Sequence, residues 1–104
     1  MVYICSPYSG NTRLNTANAR RYCRYAVDKG CIPLAPHLLF PQFMNEETER
    51  ETAMFMNYVL LTKCRELWVF GRTITTGMSE EIEKAKQRKN RIRYFTEEIK
   101  EVND

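Results

Sequence analysis

Short unbroken apolar runs along the chain give way to segments with an apolar residue every three or four positions, so strand-like and helix-like patterns alternate. The first run, "VYIC" at 2–5, is β-branched and aromatic and predicts a buried strand. "SPYSGNT" follows as a loop punctuated by Pro7 and Gly10. Asn11 or Thr12 can cap a helix reaching about Lys29, with Leu14, Ala17, Tyr22, Tyr25 and Ala26 on its apolar side and Gly30 at its end. "CIPLAP" at 31–36 predicts a second strand, and its prolines put it near a sheet edge. "HLLFPQFMNEET" (37–48) predicts a long loop with exposed aromatics. A second helix is expected from about Glu47 to Lys63 on a stripe of Ala53, Met56, Leu60, Leu61 and Cys64. "ELWVF" at 66–70 is the clearest strand. A loop at 71–77 leads to a third helix from about Met78 to Arg88, and "RIRYF" at 91–95 is a fourth strand. "TEEIKEVND" (96–104) reads as a short helix or a frayed tail.

The order β-α-β-α-β-α-β implies a small, mostly parallel four-stranded sheet with helices on both faces. Right-handed crossovers restrict it to a flavodoxin-like or Rossmann-like three-layer α/β sandwich. No repeat or linker divides the chain, so residues 1–104 are read as one domain. Ligands of such sheets bind beyond the carboxyl ends of the strands. Three unusual loops gather there: "SPYSG", "PHLLF" and "GRTITTG".

Composition changes this picture little. The chain has 104 residues, 43% hydrophobic and 28% charged, which excludes a disordered class. With 16 basic and 13 acidic residues the net charge is +3, too mild to imply nucleic-acid binding. The basic run "KAKQRKNRIR" is a solvated helix face and strand end. A core this small makes homo-oligomerisation a natural supplement. Cys5, Cys23, Cys31 and Cys64 show no C-x-x-C spacing and His37 is the one histidine, so no zinc pattern arises. Without a signal-like or membrane-spanning run, a cytoplasmic location with reduced cysteines is expected.

Candidate chemistry begins in "TTGMSEEIEKA" (75–85). Met78, Ile82 and Ala85 form one helical stripe. Glu81 borders it and faces inward, whereas Glu80 pairs with Lys84 on the wet side. An ionised, poorly solvated carboxylate at a cleft is suited to stabilise or attack a cationic carbon. Helix-dipole decoration is the plainer account of Glu81. Asn57 interrupts the stripe of the second helix; a buried amide there needs a backbone partner or a ligand. "SPYSGN" precedes a helix and can present N–H groups to an anion, although it is no Walker loop. Tyr8 can stack on a base or hydrogen-bond a ribose, His37 after Pro36 in an edge loop is either solvated or substrate-binding, and Phe40 and Phe43 can cover a ring or pack on a neighbouring subunit.

"MVYICSPYSGNT", "PLAPHLLFPQF", "LLTKCRELWVFG" and "TTGMSEEIEKA", in that order over about residues 2–95, resemble the compact nucleoside 2-deoxyribosyltransferase-like proteins. That superfamily also includes 2'-deoxynucleoside 5'-monophosphate N-hydrolases. The resemblance implies a flavodoxin-like fold and a catalytic glutamate in a glycine-rich turn opening a helix, which "GMSEE" matches at Glu81 beside Gly77, Met78 and Ser79. It implies sugar contacts in the first loop, where Tyr8 and Ser9 are the matching region and Ser6 and Gly10 beside them are further substrate-binding candidates. It also implies an assisting aspartate where this chain has Asn57, and a second turn glycine where it has Ser79. The implied reaction is hydrolysis or transfer at an N-glycosidic bond of a nucleoside or nucleotide, through an oxocarbenium-like transition state. Glu81 would act at C1', with no metal or cofactor. A phosphate would sit at "SPYSG" with Arg13 or Arg72 assisting, and the site would lie at a homodimer interface. The alternative is a module that binds or sequesters a nucleotide or an ADP-ribose-type signal without turnover, which Asn57 favours. Nucleic-acid binding ranks third.

Overall fold

The computed structural model describes residues 1–45 and 47–102. Glu46, in the expected loop, and Asn103 and Asp104, in the expected tail, lie outside the described residues. The elements are β1 (Val2–Cys5), α1 (Thr12–Asp28), β2 (Pro33–Leu34), α2 (Pro36–Leu39), α3 (Arg50–Leu61), β3 (Glu66–Phe70), α4 (Thr76–Gln87), β4 (Arg91–Phe95) and β5 (Glu101–Val102), with a 3₁₀ turn at Phe40–Gln42.

Among the described residues the sheet has five strands in the order β2-β1-β3-β4-β5, not four. The first four run parallel. The fifth lies antiparallel to β4, pairing Tyr94 with Val102 and Phe95 with Glu101. Over 96–102 the expected helix or tail is thus corrected to a hairpin. Thr96 accepts from Lys100 at 3.2 Å and donates its own N–H to the Lys100 carbonyl at 2.9 Å, which closes the turn. The strand expected at 31–36 shrinks to two residues, because Pro33 and Pro36 lack the N–H a longer ladder needs. The expected loop at 37–48 contains α2 and the 3₁₀ turn, each opened by a proline at its start, where the missing N–H costs nothing.

Strand alternation gives the sheet two different interiors. Val2, Ile4, Trp68, Phe70 and Phe95 face α1 and meet Tyr22 and Ala26. Tyr3, Cys5, Leu67 and Val69 face α3 and α4 and meet Leu61, Met78, Ile82 and Ala85. Helix therefore covers both faces in three layers. The apolar side of α1 differs from the expected stripe: Leu14 and Ala17 are exposed, and Ala19 takes a buried place beside Tyr22 and Ala26. Two caps match local chemistry. Asn11 accepts from the Leu14 N–H at 3.1 Å and Thr75 from the Met78 N–H at 3.2 Å. Gly71 ends β3 at φ +98, a backbone state that suits glycine. No helix among the described residues is long and apolar enough to cross a membrane.

Candidate functional site

Tyr3 and Cys5 are two apart on β1, so both side chains rise from the same sheet face toward α4. Glu81 comes down from α4 to meet them and is only 3% exposed, while Glu80 beside it is exposed. The Tyr3 hydroxyl donates to one Glu81 oxygen. The Cys5 thiol donates to the other at 3.3 Å. Burial, and then the nearby Glu81, push both donors' pKa values well up, so each keeps its proton. Burial drives the Glu81 carboxyl up to about 7, against the two hydrogen bonds that favour its ionised form. Glu81 thus titrates near neutrality in an interior that holds it in place.

A cleft of about 470 Å³ opens at the carboxyl end of the sheet. Tyr8 and Ser9 enter it from the β1–α1 loop, His37 from α2, and Ile74, Thr75, Thr76 and Gly77 from the turn into α4. Arg50, Ala53, Met54 and Asn57 line it from α3 at spacings of three and four, which is one helix face. A Cβ on Gly77 would meet no atom within 4 Å, so the space its missing side chain leaves belongs to the cleft. Glu81 follows Gly77 by four residues and sits about 6 Å further along the same face of α4. It is a buried group beneath the cleft and not part of its wall.

Asn57 is 5% exposed, and its Oδ1 has no hydrogen-bond partner among the described residues. Asn57 reaches the cleft wall, but its Oδ1 is itself closed off from the cleft, a buried acceptor left unsatisfied in the interior. The rings of Tyr8 and His37 meet at 4.9 Å with a 41° tilt. Burial lowers the His37 pKa to about 4 against a hydrogen bond with the Ser6 backbone, so the imidazole is neutral at neutral pH.

The remaining sequence-derived site residues fall elsewhere. Ser6 is buried and lines a separate cavity of about 270 Å³ on the α1 side, which Ser9 and Thr75 share with the cleft. Gly10 is exposed at φ +92, Met78 is buried in the core against Cys5, and Ser79 is exposed. None of these three lines the cleft. Reading the sequence missed Tyr3 and Cys5, although two hydrogen-bonding side chains at alternate positions of a buried strand were a usable signal. It also missed Arg50 and Thr76, which carry no pattern of their own. Among the described residues no three His, Cys, Asp or Glu side chains gather as a metal-holding group.

Fold and site together define an open, mostly parallel α/β protein with a cleft where the chain departs β1 in one direction and β3 in the other. Residues 1–95 match a family model described as a domain of unknown function (DUF7768), and the chain belongs to that family. A search of curated proteins found no match.

Proposed function

We propose that the protein cleaves or transfers an N-glycosidic bond of a nucleoside or nucleotide, with Glu81 as the group that answers positive charge at C1'. The observation that carries this reading is the Glu81 carboxyl, buried, bonded to Tyr3 and Cys5, and one helical turn from the bare Gly77 wall of a ligand-sized cleft. An ionised carboxylate in a poorly solvated setting stabilises an oxocarbenium-like centre far more than it would in water. Substrate entry at Gly77 would bring the sugar toward it. The Tyr8 ring offers a base-stacking face, and Arg50 suits a phosphate or other anion at the rim. The strand order supports a flavodoxin-like assignment for the parallel part of the sheet.

The reading includes a second copy of the chain and a reducing compartment such as the cytoplasm. Phe55 (66% exposed) and Val59 stand one turn apart on the outer side of α3, an apolar pair that a partner copy would cover. Sedimentation of wild type and Phe55→Asp over a range of concentrations tests this, with dissociation expected in the variant. The four cysteines are free thiols, in keeping with reducing surroundings.

Incubation with a panel of nucleosides, nucleotides and dinucleotides, followed by chromatography of released base, tests the activity. Release is expected from wild type and lost by at least about a hundredfold in Glu81→Gln. Because the ionised form is the one that acts, the rate should rise as pH passes upward through about 7. A second reading has its own support: both Glu81 oxygens are engaged by protein donors and the carboxyl is off the cleft wall. That arrangement suits a module that binds a nucleotide without turnover. Micromolar binding with the ligand recovered intact would decide for it.

A further inference from the structure

On the α1 side of the sheet a cavity of about 270 Å³ adjoins the cleft and takes no part in the glycosidic step. Ser9 and Thr75 line both hollows, so they form a sill between them. The cavity walls are polar and mixed in kind. Asn15 gives its Nδ2 hydrogens to the Tyr8 and Ser9 carbonyls at 3.1 and 3.0 Å, so its oxygen is what it can offer a ligand. Asn18 is the reverse. Its Oδ1 accepts from Arg21 at 3.1 Å, and its amide N–H groups are what it can offer. Ser6, only 2% exposed, and Thr73 add hydroxyls that both donate and accept. The buried Tyr22 ring, stacked on Phe70, adds apolar surface.

Glu97 is the one charged side chain on these walls among the described residues. It comes from the turn between β4 and β5, which Arg21 ties to α1 by donating to the Glu97 carbonyl at 3.1 Å. Gly71 lets that side chain lie close over the end of β3, since a Cβ there would stand 3.6 Å from Glu97 Cγ. Among the described residues no cation pairs with its carboxylate. A carboxylate accepts from two hydroxyls at once, which is what a sugar diol presents. The sill differs from the cavity in the charge it favours. Ser9 stands two residues before the Asn11 cap of α1, and Thr75 caps α4, so the sill lies where two helices begin and negative charge is stabilised.

Resting on the nucleotide reading of the cleft, we propose that this cavity is a sugar subsite and that the full ligand is a nucleoside diphosphate carrying a second sugar. The nucleoside half lies in the cleft beside Gly77, and the pyrophosphate crosses at Ser9 and Thr75. The second sugar sets a diol against Glu97, and Asn15 and Asn18 meet its other hydroxyls. A phosphate within the cavity would meet the Glu97 carboxylate, so the anion belongs on the sill and the neutral sugar beyond it.

Titration calorimetry tests this with pairs that differ by the second sugar: ADP-ribose against ADP, and UDP-glucose against UDP, with AMP and UMP reporting on the cleft alone. The sugar-bearing member of at least one pair is expected to bind at least about tenfold tighter than its partner. The pairs separate a pentose on an adenine nucleotide from a hexose on a uracil nucleotide. Glu97→Ala, at an exposed position and checked for folding by circular dichroism, should bring that ratio within about twofold. Thr73→Trp, which narrows the cavity from its exposed rim, should do the same. Glu98→Ala, next in the chain and on neither set of walls, should leave the ratio as it is. Equal binding within both pairs, or an advantage that survives either of the first two variants, overturns this inference and leaves the nucleotide reading standing. Failure of all six compounds to bind folded protein overturns it as well. Base release from other nucleosides would then keep the glycosidic reading, and no release would remove that too.

Discussion

On the α1 face of the sheet, Tyr22 stacks on Phe70 at 4.1 Å and Phe70 on Phe95 at 4.8 Å, with Trp68 tilted against Phe95 at 5.4 Å. The polar tip of Trp68 is satisfied by Glu66 at 2.9 Å, and the Arg93 guanidinium lies 4.8 Å over its ring. On the α3 and α4 face, smaller side chains surround a buried carboxyl, its two donors and an amide oxygen with no partner among the described residues. The first face gains from large apolar area and ring contacts. The second keeps polar groups in a low-dielectric interior at a cost in stability, which is where a protein's departures from good packing tend to mark function. The same sheet separates the two, because successive strand residues point to opposite sides.

The contrast can be broken most directly at Trp68. Trp68→Ala should cost about 3–5 kcal/mol, read from the urea midpoint, since it empties the largest side chain of the aromatic half. A loss below about 1 kcal/mol would mean that this face does not anchor the fold.

Glu81→Gln should have the opposite sign at high pH. The Glu81 pKa is raised from 4.5 to about 7, so between those values the native state binds more protons than the unfolded chain. Stability from this group is therefore full below about pH 4.5, falls as pH rises, and is gone above about 7. Removing the charge should add up to about 3 kcal/mol at pH 8, less one weakened hydrogen bond, and flatten the pH dependence. Thermal melts of both proteins from pH 5 to pH 8 supply the comparison.

Asn57→Leu should stabilise the fold by about 1–2 kcal/mol by deleting the unsatisfied acceptor. A destabilised variant would show that Oδ1 is satisfied in solution. Tyr3→Phe should cost about 1 kcal/mol near neutral pH. Because the Tyr3 bond lowers the Glu81 pKa, its loss should move the acid limb of the pH–rate profile upward. The smallest effect is expected outside both interiors. Glu101→Gln, which breaks the two-pronged contact with Arg93 at 2.7 and 2.8 Å, should cost under about 1 kcal/mol and vanish in high salt.

Local pattern was enough for the central elements. β1, β3 and β4 run over the residues that "VYIC", "ELWVF" and "RIRYF" mark, and helical spacing separates buried Glu81 from exposed Glu80. It was weaker where few residues or a proline decide. The two-residue β5 has no periodicity to read, and its pairing depends on β4 lying open beside it. Leu14 looked like a core residue by type, yet it stands at the first turn of α1, beyond the reach of the sheet.

The sequence by itself determined the alternation of strands and helices, the inward turn of Glu81 and the misfit of Asn57, because each follows from spacings of two, three or four residues. Only the tertiary structure decided that Tyr3 and Cys5 grip Glu81 across 78 and 76 residues of chain, that Asn57 Oδ1 has no partner among the described residues, and that Glu81 lies beneath the cleft and not on its wall. Such contacts arise from parallel pairing of distant strands, and local periodicity carries no record of which side chains that pairing brings together.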